Sequence, residues 1–221
     1  MSILDELHVY DDREPRSAVL NMAVDEALLE TTASPSLRFY RWRGPALSFG
    51  YFGSYADVAD QRCDREIVRR WTGGGVVPHG DDLTYSIVIP ASHPFFARSS
   101  LAIYSALHDA IRGAFQANGI AAILANSVSP KVSENCFANA VRADVILAGQ
   151  KIAGAAHRRS RAGLLHQGSV QKAKLPDRFR NDLARAVCDR FEHRALSRDL
   201  IDRAAAIARA KYGTIEWLMR R

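Results

Sequence analysis

Strand-like segments occur in two runs along this chain, and a helical segment precedes each run. The first run has four period-two patterns, at residues 37–42, 46–52, 66–71 and 83–89. The second run has three, at residues 141–147, 150–156 and 163–170. Helical patterns precede the two runs at 17–32 and 100–118. In the first, Asp25, Glu26 and Glu30 lie on other faces than the apolar residues, as in an amphipathic helix. Strands that follow one another directly favour antiparallel pairing, because parallel neighbours need a long crossover. The order predicts an α+β fold with a mixed, mostly antiparallel sheet flanked by helices.

Composition and charge narrow the class of protein. Hydrophobic residues make up 48% of the 221 residues and charged residues 24%, as in ordinary globular domains. No apolar run approaches the roughly 18 to 20 residues of a membrane span, and the first residues lack a signal pattern. We therefore expect a single cytoplasmic domain over residues 1–221 without a membrane partner. Most of the net charge of +6 lies in residues 178–221, which are predicted to be helical and basic.

A glycine-rich turn separates two strand-like segments between residues 69 and 86. Its distinctive residues are Arg69, Arg70, Thr72, Gly73, Gly74, Gly75, Val77 and His79. Glycines allow positive φ and close backbone approach, and successive N–H groups can hold an anion. The two arginines add charged donors suited to a phosphate or carboxylate. The pattern indicates an anion-binding loop, and a hairpin with solvent-facing arginines is the alternative.

A second glycine-rich segment contains Lys151, one of only five lysines in the chain. It opens a strand of small residues, Ala153, Gly154, Ala155 and Ala156. Small side chains would leave a slot where an ammonium could neutralise a carboxylate that is becoming a mixed anhydride. A lysine in an ordinary turn is the alternative. His166, in the next strand, could contact a substrate or cap the strand.

The three cysteines, Cys63, Cys136 and Cys188, have the spacing of neither a disulfide framework nor a zinc site. Cys136 lies in an Asn-Cys-Phe sequence and could carry an acyl group if its thiolate is stabilised or a base lies near. A buried cysteine that acts as a small apolar residue is the commoner case. Cys63 and Cys188 have no activating neighbour in the sequence.

The ordered combination of these motifs resembles the lipoate-protein ligase and octanoyltransferase family, which is related to biotin protein ligases. The resemblance covers about residues 17–170 and rests on three segments, at residues 21–26 (Asn-Met-Ala-x-Asp-Glu), 69–86 and 149–156. It implies the α+β fold of that catalytic domain. It also implies an enzyme that attaches a lipoyl or octanoyl group to a lysine of lipoyl domains, in 2-oxoacid dehydrogenase complexes or the glycine cleavage H protein.

The resemblance also implies roles for the two glycine-rich segments. The loop from Arg70 to His79 would cover the acyl chain and the adenylate, and Lys151 would contact the acyl carbonyl and the α-phosphate. The implied acyl- or adenylate-binding residues are Arg69, Arg70, Thr72, Gly73, Gly74, Gly75, Val77, His79, Gly154, Ala156 and His166. Asp82 is a candidate Mg²⁺ ligand.

Two chemistries occur in the family, and a ligase is expected first. With ATP and Mg²⁺, lipoate or octanoate would form an acyl-AMP, and the acceptor lysine would displace AMP. The alternative is an octanoyltransferase that takes octanoate from acyl carrier protein as a thioester on Cys136, whose place before Lys151 resembles the nucleophile of the cysteine-dependent branch. Gly75 follows the ligase pattern, whereas residues 79–82 are closer to the transferase pattern. A more distant alternative is a non-catalytic lipoyl-binding partner.

The basic C-terminal segment has two further implications. The residues after 170 are too few for the accessory domain of many ligases, so a separate chain would supply it or the reaction would proceed without it. Because lipoyl domains are typically acidic, we expect the segment, including Arg185 and Arg190, to steer the acceptor. The charge alone would suggest nucleic-acid binding, but no nucleic-acid motif accompanies it and none is expected.

Overall fold

A computed structural model describes residues 2–126 and 140–220. In these ranges the strands are β1 (Leu7–Arg16), β2 (Ser36–Trp42), β3 (Ala46–Phe49), β4 (Glu66–Arg69), β5 (Val77–His79), β6 (Leu83–Pro90), β7 (Ile123–Leu124), β8 (Val145–Leu147), β9 (Gln150–Arg159), β10 (Gly163–Val170) and β11 (Phe191–His193). The α-helices are α1 (Ala18–Thr31), α2 (Ser100–Gln116), α3 (Phe179–Val187), α4 (Arg198–Ile207) and α5 (Ile215–Leu218). None of these helices is long and apolar enough to cross a membrane.

Eight of these strands form one mixed sheet in the order β11-β1-β2-β6-β10-β9-β8-β7. β1 pairs in parallel with β11 and β2, and the other neighbours are antiparallel. The remaining three strands form a small sheet in the order β4-β3-β5. The α+β prediction with a mixed, mostly antiparallel sheet is confirmed.

The two faces of the large sheet pack against different layers. On β6, Tyr85, Ile87 and Ile89 belong to the hydrophobic core formed with α2 and α3. Alternate residues of a strand point to opposite faces, so Thr84 and Ser86 point towards the other layer. That layer contains α1, α4 and the small sheet, and its hydrophobic core is a separate cluster. The polar positions of β6 therefore lie between the sheet and α1.

Several elements differ from the sequence prediction. The strand predicted at 141–147 is limited to β8, because residues 141–144 form a turn in which Ala143 has a φ of 69°. The segment predicted to be helical from residue 178 also contains β11, which extends the large sheet by parallel pairing with β1. Helix α1, whose acidic residues were expected on its polar faces, instead buries Asp25 and Glu26. Strands β1, β5 and β7 were not predicted.

Gly168 gives a test of packing against the sheet. A Cβ at this position would lie 2.3 Å from the Tyr85 ring tip, and Tyr85 is fully buried. We expect Gly168→Ala to lower the free energy of unfolding by about 1–3 kcal/mol, because the buried ring must shift. Gly113→Ala is the control, since a Cβ there meets nothing within 4 Å and alanine favours the helix by about 0.5–1 kcal/mol. Urea unfolding of both variants measures the difference, and equal effects would contradict the packing argument.

Candidate functional site

A pocket of about 440 Å³, mouth included, lies between the large sheet and the layer formed by α1 and the small sheet. Its lining residues are Met22, Tyr40, Trp42, Ser48, Arg70, Gly74, Val77, His79, Thr84, Gly154, Ala155, Ala156, Gln167, Gly168 and Ser169. The floor crosses the sheet from β9 through β10 and β6 to β2. Three strand spacings make this span about 14 Å. The pocket is therefore elongated across the strands.

Arg70 organises the glycine-rich loop at the edge of this pocket. Its guanidinium donates to the carbonyl oxygens of Gly73 (3.0 Å) and Gly75 (2.9 Å) and to Ser48 Oγ (2.7 Å). Gly74 has a φ of 89°, which favours glycine, and its carbonyl oxygen packs against Gly50. Gly50 has no room for a Cβ because that atom would lie 2.0 Å from this oxygen. The loop is thus held in one conformation by its own arginine.

Arg69, expected to bind the acyl group or the adenylate, does not line the pocket. Its guanidinium is buried and donates to carbonyl oxygens of two chain segments. These acceptors are Tyr51 and Gly53 on one side and Trp217, Leu218 and Arg220 on the other. The indole of Trp217 in turn donates to the Arg69 carbonyl at 3.0 Å. Arg69 therefore joins α5 to the loop after β3, and its predicted binding role is corrected.

Thr72 connects the glycine-rich loop to the pocket floor. Its hydroxyl donates to Gln167 Oε1 at 2.8 Å, and Gln167 Nε2 donates to Asp25 Oδ2 at 2.7 Å. Asp25 is fully buried and forms an ion pair with Arg38 at 2.8 Å. The predicted residue Thr72 thus supports Gln167, which lines the pocket, without lining it itself.

Trp42 and His79 form the β2 end of the pocket. Their rings stack with centroids 4.1 Å apart. His79 Nδ1 lies 2.8 Å from Asp82 and Nε2 lies 2.7 Å from Ser48 Oγ. Since ionised Asp82 only accepts hydrogen bonds, Nδ1 donates to Asp82 and Nε2 accepts from Ser48. Burial lowers the pKa of His79, which keeps the ring neutral at neutral pH. This end of the pocket therefore presents ring faces and satisfied polar atoms.

Asp82, the candidate Mg²⁺ ligand, is occupied by protein donors. Besides His79, its carboxylate accepts from Thr84 Oγ1 (2.7 Å), Ser169 Oγ (2.6 Å) and Gly80 N (3.1 Å). Burial acts to raise the pKa of Asp82, but the hydrogen bonds outweigh it and hold this pKa at about 2. Within residues 2–126 and 140–220, no cluster of His, Cys, Asp and Glu could hold a metal ion. Asp82 does not fit the expected Mg²⁺ role.

Lys151 adjoins the β9 end of the pocket. A Cβ on the pocket residue Gly154 would lie 2.8 Å from Lys151 Nζ, so glycine makes room for the lysine side chain. Lys151 Nζ is 2.8 Å from Asp144 Oδ2, and both side chains are buried. Lys151 and the Trp42–His79 stack therefore mark opposite ends of the pocket.

His166, also expected at the site, lies on the other face of the large sheet. Its ring packs near Tyr85, Tyr104 and His108, on the side covered by α2. Burial lowers the pKa of His166 well below its usual value, so the ring is neutral. Its neighbours in β10, Gln167 and Ser169, face the pocket, because the alternation of the strand sends His166 the other way.

Of the predicted binding residues, the structure brings Arg70, Gly74, Val77, His79, Gly154 and Ala156 together in the pocket lining. Gly73 and Gly75 contribute carbonyl acceptors for Arg70. Cys136 lies outside the described residues. Met22, Tyr40, Trp42, Ser48 and Thr84 were not predicted. Thr84 and Ser86 alternate with apolar residues in a buried strand, a pattern that could have indicated a polar face below α1.

The Asp82 network gives a pH-dependent prediction. The pKa of Asp82 in the folded protein, about 2, lies below the ordinary value of 3.8. Ionised Asp82 therefore stabilises the fold above about pH 4, by about 2 kcal/mol, and this contribution is lost as the pH falls towards 2. We expect Asp82→Asn to lower the free energy of urea unfolding at pH 7, with a smaller difference from wild type near pH 2.5.

Asp109→Asn is the control for this measurement. Asp109 forms an exposed ion pair with Arg112 on α2. Such surface pairs contribute about 0–1 kcal/mol, so we expect little change at either pH. A difference between Asp82→Asn and wild type that stays constant from pH 7 to pH 2.5 would contradict the assigned role of Asp82.

Comparison with known proteins identifies relatives of this chain. Residues 17–178 match the family model of the lipoyl protein ligase A/B catalytic domain. Octanoyltransferase LipM of Oceanobacillus iheyensis is 40% identical over 168 residues, which cover 72% of this chain and 62% of that protein. Octanoyltransferase LipM of Geobacillus kaustophilus is 33% identical over 206 residues, which cover 85% of this chain and 72% of that protein. The match thus spans less than two thirds of the first relative.

Solved structures share the fold. A Thermoplasma acidophilum protein described as a lipoate protein ligase has a TM-score of 0.79 at 21% identity, over 97% of this chain and 99% of that chain. A lipoate-protein ligase A bound with ATP has a TM-score of 0.78 at 21% identity, over 97% and 98% of the two chains. The fold and the family model agree over the region that contains the pocket, and the chain belongs to the lipoyl protein ligase A/B catalytic domain family.

Proposed function

We propose that this protein is an octanoyltransferase that transfers octanoate from acyl carrier protein to a lysine of lipoyl domains through a thioester on Cys136. The observation that carries the proposal is an elongated pocket with Lys151 beside its lining residue Gly154 at one end, in a chain 40% identical to an octanoyltransferase. The expected order of the two chemistries is thereby reversed, with the cysteine-dependent reaction ahead of the ATP-dependent one.

The shape of the pocket supports an acyl chain as the substrate. The Lys151 end suits a carbonyl group, because an ammonium stabilises negative charge on oxygen. The Trp42–His79 end suits an apolar tail, since its polar atoms already have protein partners. The span of about 14 Å accommodates an extended octanoyl chain.

The transfer has two steps in which atoms balance. The Cys136 thiolate attacks the carbonyl carbon of the octanoyl thioester on the carrier, a C–S bond to Cys136 forms, and the carrier thiol leaves with the proton that Cys136 gave up. The neutral ε-amine of the acceptor lysine then attacks, a C–N bond forms, the C–S bond to Cys136 breaks, and the amine proton restores the thiol. Lys151 would stabilise the oxyanion of both tetrahedral intermediates.

The ATP-dependent ligase is the second candidate, favoured by Gly75, which follows the ligase pattern. The residues expected to serve it do not fit well. The carboxylate of Asp82 already accepts hydrogen bonds from protein donors, and the guanidinium of Arg69 donates to carbonyl oxygens away from the pocket. No step of the proposed mechanism involves ATP or Mg²⁺. A lipoyl group remains a candidate acyl substrate because the proposed reaction depends on the thioester and not on the tail.

The pocket lies on the face of the large sheet that α1 and the small sheet cover. Arg185 lies on α3, which packs against α2 on the opposite side of the large sheet. Steering by this arginine would act only through the long-range field, which salt screens beyond about 10 Å at 0.1 M. A lipoyl domain or the glycine cleavage H protein is the proposed acceptor, and a separate accessory chain is not needed for the thioester route.

Intact-protein mass spectrometry tests the proposed chemistry. After incubation with octanoyl acyl carrier protein and no ATP, we expect the protein to gain the mass of one octanoyl group, and peptide mapping to place it on Cys136. Because a thioester is the activated intermediate, addition of an apo lipoyl domain should discharge it and acylate the domain.

Two cysteine variants provide the controls. Cys136→Ala is expected to lose both the adduct and the transfer, whereas Cys63→Ala, at an exposed cysteine, should keep both. Transfer by Cys136→Ala with octanoate and Mg-ATP, without any adduct, would instead support the ligase. Absence of acylation under either condition would favour the non-catalytic alternative.

A further inference from the structure

We infer that Asp144, Tyr104 and His108 are positioning residues that hold the Lys151 ammonium at the carbonyl end of the pocket. The inference rests on the proposed function for the role of Lys151 and adds residues that the motifs do not include. Helix α2 provides Tyr104 and His108, and the turn before β8 provides Asp144.

Asp144 is the first member of the arrangement. Its Oδ2 lies 2.8 Å from Lys151 Nζ and its side chain is fully buried. The same oxygen accepts from the backbone N–H of Val141 at 2.7 Å. The backbone donor orients the carboxylate, and the ion pair then directs the Lys151 ammonium.

Tyr104 orients the second oxygen of this carboxylate. Its hydroxyl donates to Asp144 Oδ1 at 2.5 Å and accepts from the backbone N–H of Ala155 at 3.2 Å. Ala155 belongs to the pocket lining, next to Gly154, which makes room for Lys151. Burial and the neighbouring Asp144 raise the pKa of Tyr104, so the hydroxyl remains a donor. One phenol thus joins the carboxylate to the strand that forms the pocket floor.

His108 supports the turn that carries Asp144. It lies four residues after Tyr104, so both side chains project from one face of α2. Its Nδ1 lies 2.8 Å from the carbonyl oxygen of Ala143. Because a carbonyl oxygen only accepts hydrogen bonds, Nδ1 carries the proton and donates it. Burial lowers the pKa of His108 to about 4, so the ring is neutral. Ala143 has a φ of 69°, a conformation that is costly for a residue with a Cβ and that its surroundings must maintain.

The proposed role requires that Lys151 be held in place before the reaction begins. An ammonium on a flexible four-carbon chain stabilises an oxyanion only if it is held at the right place before charge develops. Displacement by about 1 Å can reduce the rate by roughly 100-fold. Loss of the Asp144 carboxylate or of the Tyr104 hydroxyl should therefore slow the chemical step without removing the acyl pocket.

The experiment uses the full chain and steady-state transfer from octanoyl acyl carrier protein to an apo lipoyl domain. We expect Asp144→Asn to lower kcat by roughly 10- to 100-fold and Tyr104→Phe by about 3- to 10-fold, with KM for the octanoyl donor changed by less than about threefold. A second readout is the rate at which acetic anhydride modifies Lys151, followed by peptide mass spectrometry. Asp144→Asn should increase that rate because Lys151 Nζ loses the carboxylate that holds it at 2.8 Å.

The chain contains a matched control. Glu26 accepts from Lys211 Nζ at 2.7 Å and from Tyr212 at 2.5 Å, which repeats the lysine, carboxylate and phenol arrangement on the α1 side of the sheet. Glu26→Gln and Tyr212→Phe should disturb folding comparably and leave kcat within about twofold of wild type. Both control variants should also leave the reactivity of Lys151 towards acetic anhydride unchanged.

The outcomes separate this inference from the proposed function. If wild type transfers octanoate and the Asp144 and Tyr104 variants match it in kcat and in Lys151 labelling, the positioning role is wrong. If Glu26→Gln and Tyr212→Phe lose as much kcat as the Asp144 and Tyr104 variants, the effect is one of general stability and the inference is also overturned. If wild type shows no transfer, the proposed function fails, and the labelling of Lys151 still tests the contact with Asp144.

Discussion

The buried ion pair between Asp25 and Arg38 is the interaction on which the pocket layer depends. Arg38 Nη1 donates to Asp25 Oδ1 at 2.8 Å, and neither side chain is exposed. Ser86 and Gln167 also donate to Asp25, at 2.7 Å each. Asp25 therefore joins α1 to three adjacent strands, β2, β6 and β10. Removing one partner of a buried ion pair costs about 3–5 kcal/mol, so this joint fixes the helix over the sheet.

The same network extends to the glycine-rich loop and leaves an apolar space between the fixed parts. Thr72 bonds to Gln167, and Arg70 bonds to the loop carbonyls and to Ser48. Ser48 also contacts His79, which links this network to a second one centred on Asp82 at the β2 end of the pocket. The polar groups around the pocket thus mainly form hydrogen bonds with one another. Because these polar groups have hydrogen-bond partners, the walls of the pocket are rigid.

The sequence predicted the fold class, and six of the predicted binding residues line the pocket, because period and glycine placement are local signals. Glycine-rich loops and the small residues after Lys151 were recognisable without knowledge of tertiary structure. Arg69 and His166 were misplaced because neighbouring residues in a strand point to opposite faces, and the choice of face depends on which layer covers each one. The positions of Asp144 and Tyr104 depend on a turn and a helix that meet only in the folded chain.

The short strands could not be predicted from local sequence patterns. β11 and β5 are three residues each, and their pairing with β1 and β3 creates them. Asp25 and Glu26 belong to a helix that is covered on nearly all sides, whereas the pattern of charges suggested a solvated face. Buried acids of this kind are stabilised by partners far away in the sequence, such as Arg38 and Lys211. No local pattern identifies those partners.

The direction of the pocket across the strands has a consequence for how such a site measures its substrate. A site that ran along one strand could be lengthened by small steps, residue by residue. This one is bounded by β9 at the lysine and by β2 at the stacked rings, so its coarse length comes in units of the strand spacing, about 4.8 Å. Side chains at the ends adjust within one unit. For the proposed acyl substrate, the chain length would therefore depend on the order of strands in the sheet as well as on the residues at the two ends.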